Sequence, residues 1–210
     1  MAFEKDGQIY IRLKERGCQN SSDKSWDDGA TGRIKHIFIW HDKYERIIHG
    51  IQTTYERKGE VVISKMHGGN QGNFETITPN KPLTWMSGYY GSYCVERELF
   101  VDEEEAPWNY YKVITSLKFG NQEESYGPFG FDDGTPFFFR GNTEIVGFHG
   151  SSNDEYFGYV STIGLYIKTG AVAILGNTSS ASTTQIGSLD DDEAEEKSVA
   201  SSKANESNIC

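Results

Sequence analysis

Short apolar runs, each closed by a turn residue, form the dominant pattern of this chain. Between Val113 and Gly150 four such runs follow one another, and each ends at Gly, Asn or Pro. None is long enough for a helix, and the β-branched and aromatic residues that fill them favour strands. The spacing predicts a compact antiparallel sheet of short strands joined by tight turns.

The same pattern recurs elsewhere in the chain. Ile114–Phe119 has the alternation of Ile34–Ile39 and of Val160–Leu165, and Met86–Gly91 matches Ile145–Gly150. Strand repeats that cannot bury a face alone usually stack around a shared core. We therefore predict an all-β domain with internal pseudo-threefold symmetry.

Six further strands are predicted before residue 94, and their apolar faces are expected to point into one core. The polar stretch from Gly17 to Asp28 is expected to be a loop that ends in a turn. The predicted strands are Gln8–Leu13, Arg33–Trp40, Arg46–Tyr55, Glu60–Met66, Phe74–Thr78 and Leu83–Tyr93.

Composition indicates one β domain followed by a tail. The 210 residues are 13% aromatic and include 23 Gly, which suits a turn-rich β domain. Residues 171–210 contain no aromatic residue, and their seven acids and two Lys contribute −5 of the net charge of −11. Such a segment cannot bury enough apolar surface to fold. We predict a domain over residues 1–170 and a disordered tail over residues 171–210.

Charge and cysteine content limit the expected partners and the expected cellular location of the protein. The acidic balance argues against nucleic acid or an anionic membrane as a partner, because basic patches supply affinity there. No apolar run is long enough to span a bilayer, and the first residues lack the apolar core of a signal peptide. The three Cys are widely spaced and form no disulfide framework. A cytoplasmic or nuclear location is the expectation.

The residues that could carry catalysis or bind metal do not form a recognisable motif. Ser, His and Asp occur without a nucleophile elbow, and no Cys/His spacing suits zinc. Two Asp-Asp pairs, at residues 27–28 and 132–133, could ligate calcium, but each precedes a Gly and a turn is the simpler explanation. His67 and His149 occupy matching repeat positions, which favours a structural role such as bonding a loop backbone. We expect no enzyme activity, no cofactor and no metal.

Six short motifs occur in order along the chain. They are SWDDG at 25–29, HGG at 67–69, ITSLKF at 114–119, YGPFG at 126–130, IVGFHG at 145–150 and IGLYI at 163–167. Their order and approximate spacing make the chain resemble a jacalin-related plant lectin of the mannose-type, cytoplasmic branch, from about residue 8 to residue 168. The resemblance implies a β-prism of three four-stranded Greek-key sheets, and binding of mannose/glucose-type glycans without a metal.

The resemblance also implies where a sugar would bind. The family site lies at one end of the prism, between a Gly-rich loop after the first strand and a Gly-x-x-x-Asp loop before the last. Here Gly17 stands in the first loop, and Gly158, Tyr159, Val160 and Ser161 stand in the second. Glycine lets the sugar approach the backbone, and a carboxylate accepts two hydroxyl hydrogens. These residues are the predicted carbohydrate-binding site.

The predicted site departs from the family pattern at its acid. Ser161 stands where the family has Asp, counting back from IGLYI, and the preceding loop at 151–156 is longer than usual. Asp154 lies earlier in that loop and is the candidate to replace the missing carboxylate. The first loop also carries Gly-Cys-Gln-Asn at 17–20 in place of paired glycines. Two functions stay open: a glycan-binding lectin with a weakened site, and a lectin-fold module that binds another protein.

Two segments bear on protein partners. The acidic run at 102–105 is expected to be a solvated loop, with a contact surface for a basic protein as the alternative, and the acidic tail offers another such surface.

Gln8–Leu13 alternates apolar and polar residues and is predicted to be a pairing edge for a homodimer.

Overall fold

The structure, a computed structural model, describes residues 1–95, 109–141, 143–154 and 158–169. These residues form β-strands and no helix, so the all-β prediction is confirmed. The predicted acidic loop at 102–105 and the tail at 171–210 lie outside the described residues. No helix of the described part is long and apolar enough to cross a membrane.

The strands are β1 (Ala2–Lys5), β2 (Gln8–Arg12), β3 (Arg16–Gly17), β4 (Lys24–Asp27), β5 (Arg33–Asp42), β6 (Ile47–Arg57), β7 (Glu60–Ile63), β8 (His67–Gly68), β9 (Asn73–Ile77), β10 (Trp85–Val95), β11 (Asn109–Gly120), β12 (Ser125–Gly130), β13 (Thr135–Arg140), β14 (Ile145–Asn153) and β15 (Tyr159–Lys168). Each predicted segment contains a strand, whereas β1, β3 and β4 were not predicted.

Three sheets are each built on one long antiparallel pair: β5–β6, β10–β11 and β14–β15. Outer strands complete the orders β7-β6-β5-β9, β12-β11-β10-β13 and β2-β15-β14-β4, which are the three four-stranded Greek-key sheets of the predicted prism. Three short strands add to this frame: β3 pairs with β15, β8 pairs with β6, and β1 extends the last sheet beyond β2.

The inward faces of the three sheets meet in one apolar core. Each sheet contributes side chains with almost no exposure, so none of the sheets could bury its apolar face without the other two. Representative members are Ile37 and Ile51 from the first sheet, Met86 and Leu117 from the second, and Phe148 and Ile163 from the third.

The positions of the strands within the three sheets correct one part of the predicted sequence repeat. Met86–Gly91 and Ile145–Gly150 lie on β10 and β14, which are the first strands of their pairs, as the repeat predicts. Ile34–Ile39 lies on β5, also a first strand, whereas Ile114–Phe119 and Val160–Leu165 lie on second strands. Both strands of a hairpin bury alternate residues, so their sequence patterns look alike.

The prediction that the polar stretch from Gly17 to Asp28 is a loop is wrong in part, because the stretch contains β4. This strand pairs with β14, from Lys24 opposite Ser152 to Asp27 opposite His149. Only Trp26 among its residues is partly buried. The strand reads as polar because it lies at the edge of its sheet, where most of its side chains face water.

The prediction that β2 is a free pairing edge is wrong. β2 lies inside its sheet, paired with β1 on one side and with β15 on the other. The chain before it folds back through a turn in which Asp6 and Gly7 both have positive φ, at 51° and 71°. That two-residue Asp-Gly turn is a favoured hairpin connection, and it fills the edge that β2 would have offered.

Candidate functional site

The structure brings Gly17 and Ser161 together at one end of the prism. β3 pairs with β15 through Gly17 opposite Thr162. Gly17 has a φ of +103°, and a Cβ atom there would lie 2.2 Å from the carbonyl oxygen of Ser161. Only glycine fits this close approach. We call this region, formed by Gly17 and residues 158–161, the Gly17 end.

The hydroxyl of Ser161 is fully buried, with 0% exposure. Ser161 Oγ donates to the Ser151 carbonyl at 3.0 Å and lies 2.9 Å from Ser151 Oγ. The pairing of β14 with β15 skips Ser161, because Ser151 lies opposite Thr162 and Ser152 lies opposite Val160. Ser161 is therefore the extra residue of a β-bulge, and its hydroxyl is used inside the protein.

The loop after β3 is fastened to the neighbouring sheet. The side-chain amide of Asn20 donates to the carbonyl of Lys112 and accepts from its N–H, both at 2.9 Å. Asp23 Oδ2 accepts from the backbone and side-chain nitrogens of Asn20, at 2.7 and 2.9 Å. These bonds fix a polar loop at the position where the resemblance predicts paired glycines.

The remaining predicted residues of the Gly17 end are packed inward. Val160 is fully buried, and Tyr159 is 3% exposed with its ring centroid 5.4 Å from that of Tyr111. Loss of solvent raises the pKa of the Tyr159 hydroxyl, which stays protonated. The carbonyl of Gly158 lies 3.0 Å from Nδ1 of the buried His49. Residues 158–161 thus present no charged group at this end.

Asp154 lies near Gly158, because it bonds the N–H of Gly68 and a Cβ atom at Gly158 would lie 2.8 Å from the carbonyl carbon of Gly68. Its Oδ1 accepts from the Gly68 N–H at 2.9 Å and from Ser152 Oγ at 2.6 Å. Asp154 lines a cleft of about 520 Å³ whose described lining includes neither Gly17 nor Ser161. We call it the Trp26 cleft; β4, Asp28, Thr31, Tyr55, residues 62–67 and Asp154 line it.

A buried hydrogen-bond network forms the floor of the Trp26 cleft. Asp28 accepts from the Tyr55 hydroxyl through Oδ2 at 2.8 Å, and its Oδ1 lies 2.8 Å from His67 Nε2. The Trp26 indole stacks on the His67 ring, with centroids 3.9 Å apart. Burial and the charge of Asp28 raise the pKa of Tyr55 well above its usual value, so the hydroxyl remains a donor. The network joins β4 to the sheet of β6.

The histidines of the repeat have structural partners. His149 Nε2 lies 2.9 Å from the carbonyl of Leu13, in agreement with the predicted bond to a loop backbone, whereas His67 bonds the Asp28 carboxylate. The two Asp-Asp pairs also bond protein groups: Asp27 accepts from the Gly29 N–H and Asp132 from the Ser116 hydroxyl. Within the described ranges, no group of three or more His, Cys, Asp or Glu is placed to hold a metal ion.

Sequence reasoning missed two residues whose side chains bond protein groups near the predicted site. These are Asn20, which bonds Lys112, and Ser151, which bonds Ser161. The available signal was the departure from the expected paired glycines at 17–20, together with the segment at 151–156. That segment was predicted to be a long loop, but residues 151–153 belong to β14.

Comparisons with known proteins agree on one family. The model of the Jacalin-like lectin domain matches residues 16–166. Jacalin-related lectin 3 of Arabidopsis thaliana is 33% identical over 138 residues, which are 62% of this chain and only 20% of that protein. Protein RESTRICTED TEV MOVEMENT 1 of Arabidopsis thaliana is 30% identical over 167 residues, 77% of this chain and 87% of that protein.

A solved structure supports the same conclusion. The structure of a mannose binding jacalin related lectin from Ananas comosus aligns with 77% of this chain and 98% of its own, at 25% identity and a TM-score of 0.57.

Proposed function

Because the chain belongs to the Jacalin-like lectin family, we propose that it is a metal-independent binder of mannose/glucose-type glycans with weak affinity for single sugars. The observation that carries the proposal is the Gly17 end, where the backbones of Gly17 and Ser161 approach closely and residue 161 has a buried hydroxyl in place of the expected carboxylate. The mannose binding named for the Ananas comosus relative supports the choice of sugar class.

The missing carboxylate accounts for the weak affinity. A carboxylate accepts two sugar hydroxyls through charge-assisted bonds, which are roughly twice as strong as neutral ones. The Ser161 hydroxyl is neutral and already bonds Ser151. The loss of one charge-assisted pair costs about 1.5–3 kcal/mol, roughly a ten- to hundredfold drop in affinity. Backbone groups near Gly17 would supply most of the remaining polar contacts to the sugar.

Titration calorimetry with methyl mannoside and a mannose oligosaccharide tests the proposal, with galactose and added chelator as controls. We expect weak binding of mannosides that the chelator does not change. Gly17→Ala should abolish it, because the added Cβ meets the Ser161 carbonyl at 2.2 Å. Gly59→Ala is the matched control, since Gly59 also has a positive φ but faces open space. Absence of binding to every glycan on a broad array would overturn the proposal.

A second function is favoured by one specific feature of the Gly17 end. Bonds between Asn20 and Lys112, and between Ser151 and Ser161, satisfy polar groups that a sugar would otherwise meet. A lectin fold closed in this way would serve as a protein-binding module, with the acidic segments at 102–105 and 190–196 as contact surfaces for a basic protein. A silent glycan array, together with salt-sensitive capture of a basic protein by the intact chain, would favour this function.

A further inference from the structure

Strand β7 is an exposed apolar edge. Its sequence is Glu-Val-Val-Ile, and all four residues are exposed, with Val61 at 68%, Val62 at 40% and Ile63 at 59%. It ends the sheet order β7-β6-β5-β9 and borders the Trp26 cleft, so open space lies beside it. Proteins usually protect such an edge with charges, proline or a bulge, because its free backbone groups can pair with another strand.

β7 has one such charge, Glu60 at its first position, and the other sheet edges also carry charges or proline. β12 and β13 contain Pro128 and Pro136, respectively, and charged residues occur in the remaining edge strands, at Glu4 and Lys5 in β1, Lys24 and Asp27 in β4, and Glu75 in β9. Only β7, among the edge strands of the described residues, has three consecutive exposed apolar residues.

The backbone of β7 has two residues whose polar groups point away from the sheet. Ser64 N–H donates to the Thr53 carbonyl at 2.8 Å, and Val62 lies opposite Tyr55. Hydrogen-bonded pairs alternate along an antiparallel ladder, so Val62 bonds to β6 and Val61 and Ile63 direct their N–H and C=O groups outward. No strand of the described chain lies on that side of β7.

We propose that β7 pairs with β7 of a second copy, antiparallel and symmetric about Val62, to form a homodimer. In this register Val61 lies opposite the partner's Ile63, and both residues present outward polar groups. This pair exchanges two hydrogen bonds. The two-fold axis generates a second, equivalent pair, so about four hydrogen bonds cross the interface. The β7-β6-β5-β9 sheets of the two copies become one continuous sheet.

Self-pairing fits the side chains of β7 as well as its backbone. The same register places Glu60 opposite the partner's Ser64, and Lys65 opposite the partner's Gly59, so no like charges face each other. Val61 and the partner's Ile63 lie on the same face and cover one another. A second copy therefore satisfies the backbone, apolar and charge requirements of this edge with a single register.

Cysteine cross-linking tests the register. Val62 faces the partner's Val62 as a non-hydrogen-bonded pair, with Cα atoms about 4.5 Å apart, which is within disulfide range. In the full chain carrying Cys94→Ser and Cys210→Ser, Val62→Cys should become a covalent dimer on mild oxidation. Val61→Cys is the control. This position is more exposed than Val62, so random collision would cross-link it more readily. In the proposed register it lies opposite the partner's Ile63, so it should cross-link less than Val62→Cys. Equal cross-linking of the two variants would overturn the register.

Sedimentation velocity tests the dimer without introduced cysteines. The unmodified chain should sediment as a dimer, and Val61→Pro should make it a monomer, because proline removes an outward N–H without removing a bond to β6. Val61→Thr keeps that N–H and should stay dimeric. Circular dichroism checks that each variant is folded. A strictly monomeric unmodified chain, or a Val61→Pro variant that is folded and still dimeric, would overturn the proposal.

Discussion

Ser161 and Ser151 face each other across the β14–β15 pair, with their hydroxyl oxygens 2.9 Å apart and no solvent reaching either side chain. Ser161 is the residue that the resemblance predicts at the position of the family's sugar-binding Asp. Ser161 is the bulged residue of its strand, so its side chain is directed into the protein.

The Ser151–Ser161 contact predicts the effect of restoring the acid. Ser161→Asp should lower the free energy of unfolding by roughly 2–4 kcal/mol, because it buries a carboxylate without a positive partner. It should not strengthen mannose binding. Ser161→Ala is the control and should cost about 1 kcal/mol. Urea unfolding and calorimetry measure both effects; a Ser161→Asp variant of normal stability that binds mannose tightly would contradict the prediction.

Much of the fold could be predicted because most strands have a local pattern of alternating apolar residues. Alternating apolar residues mark β5, β6 and β10, and Gly-rich turns separate them, so strand positions and pseudo-symmetry follow from the sequence. β4 could not be found this way, since an edge strand with one partly buried residue lacks the alternation. The hairpin of β1 and β2 depends on the two-residue turn at Asp6 and Gly7, which the alternation of apolar residues does not indicate.

The candidate site was less predictable because it depends on contacts between distant residues. The match of motifs placed Gly17 beside Ser161, and the structure brings them together. Sequence position could not show that Ser161 is a bulged, buried residue or that Asp154 bonds Gly68. Both facts depend on how β14 pairs with β15, and a one-residue shift in that pairing moves a side chain to the other face.

The buried network under the Trp26 cleft predicts a large stability effect. Asp28→Ala removes the carboxylate that bonds the Tyr55 hydroxyl and the His67 ring nitrogen, and both of these groups are buried. We expect a loss of about 2–4 kcal/mol in the free energy of unfolding. Asp154→Ala, an exposed acid of the same cleft, should cost less than about 1 kcal/mol. Similar losses in the two variants by chemical denaturation would argue against the network.

Asp154 also gives a prediction about glycan binding. Its carboxylate bonds the Gly68 N–H and Ser152, and it lines a cleft that does not include Gly17. Asp154→Ala should therefore leave the affinity for methyl mannoside within about twofold of the unmodified chain, a change of about 0.4 kcal/mol or less. Titration calorimetry measures the affinity of both proteins for methyl mannoside. A large drop in affinity would mean that Asp154 replaces the missing family carboxylate after all.

Replacing Glu144 by Gln is predicted to stabilise the protein in a way that depends on pH. Burial raises the pKa of Glu144, and the opposing charges of Lys168 and Arg33 only reduce the shift. The folded protein thus favours the protonated acid, so its contribution to stability is present below the unfolded pKa, about 4.3, and is lost as pH rises through the folded value. Glu144→Gln removes the ionisation and should raise the melting temperature at pH 7, with the difference disappearing near pH 4.

Glu56 is the matched control for this experiment because its pKa shifts the other way. A hydrogen bond from Lys35, together with the lysine charge, lowers the pKa of Glu56. Its contribution to stability is present above the unfolded pKa and is lost as pH falls through the folded value. Glu56→Gln should therefore lower the melting temperature slightly at pH 7 and have no effect at low pH. If both substitutions shift the melting temperature in the same direction at pH 7, burial does not control Glu144.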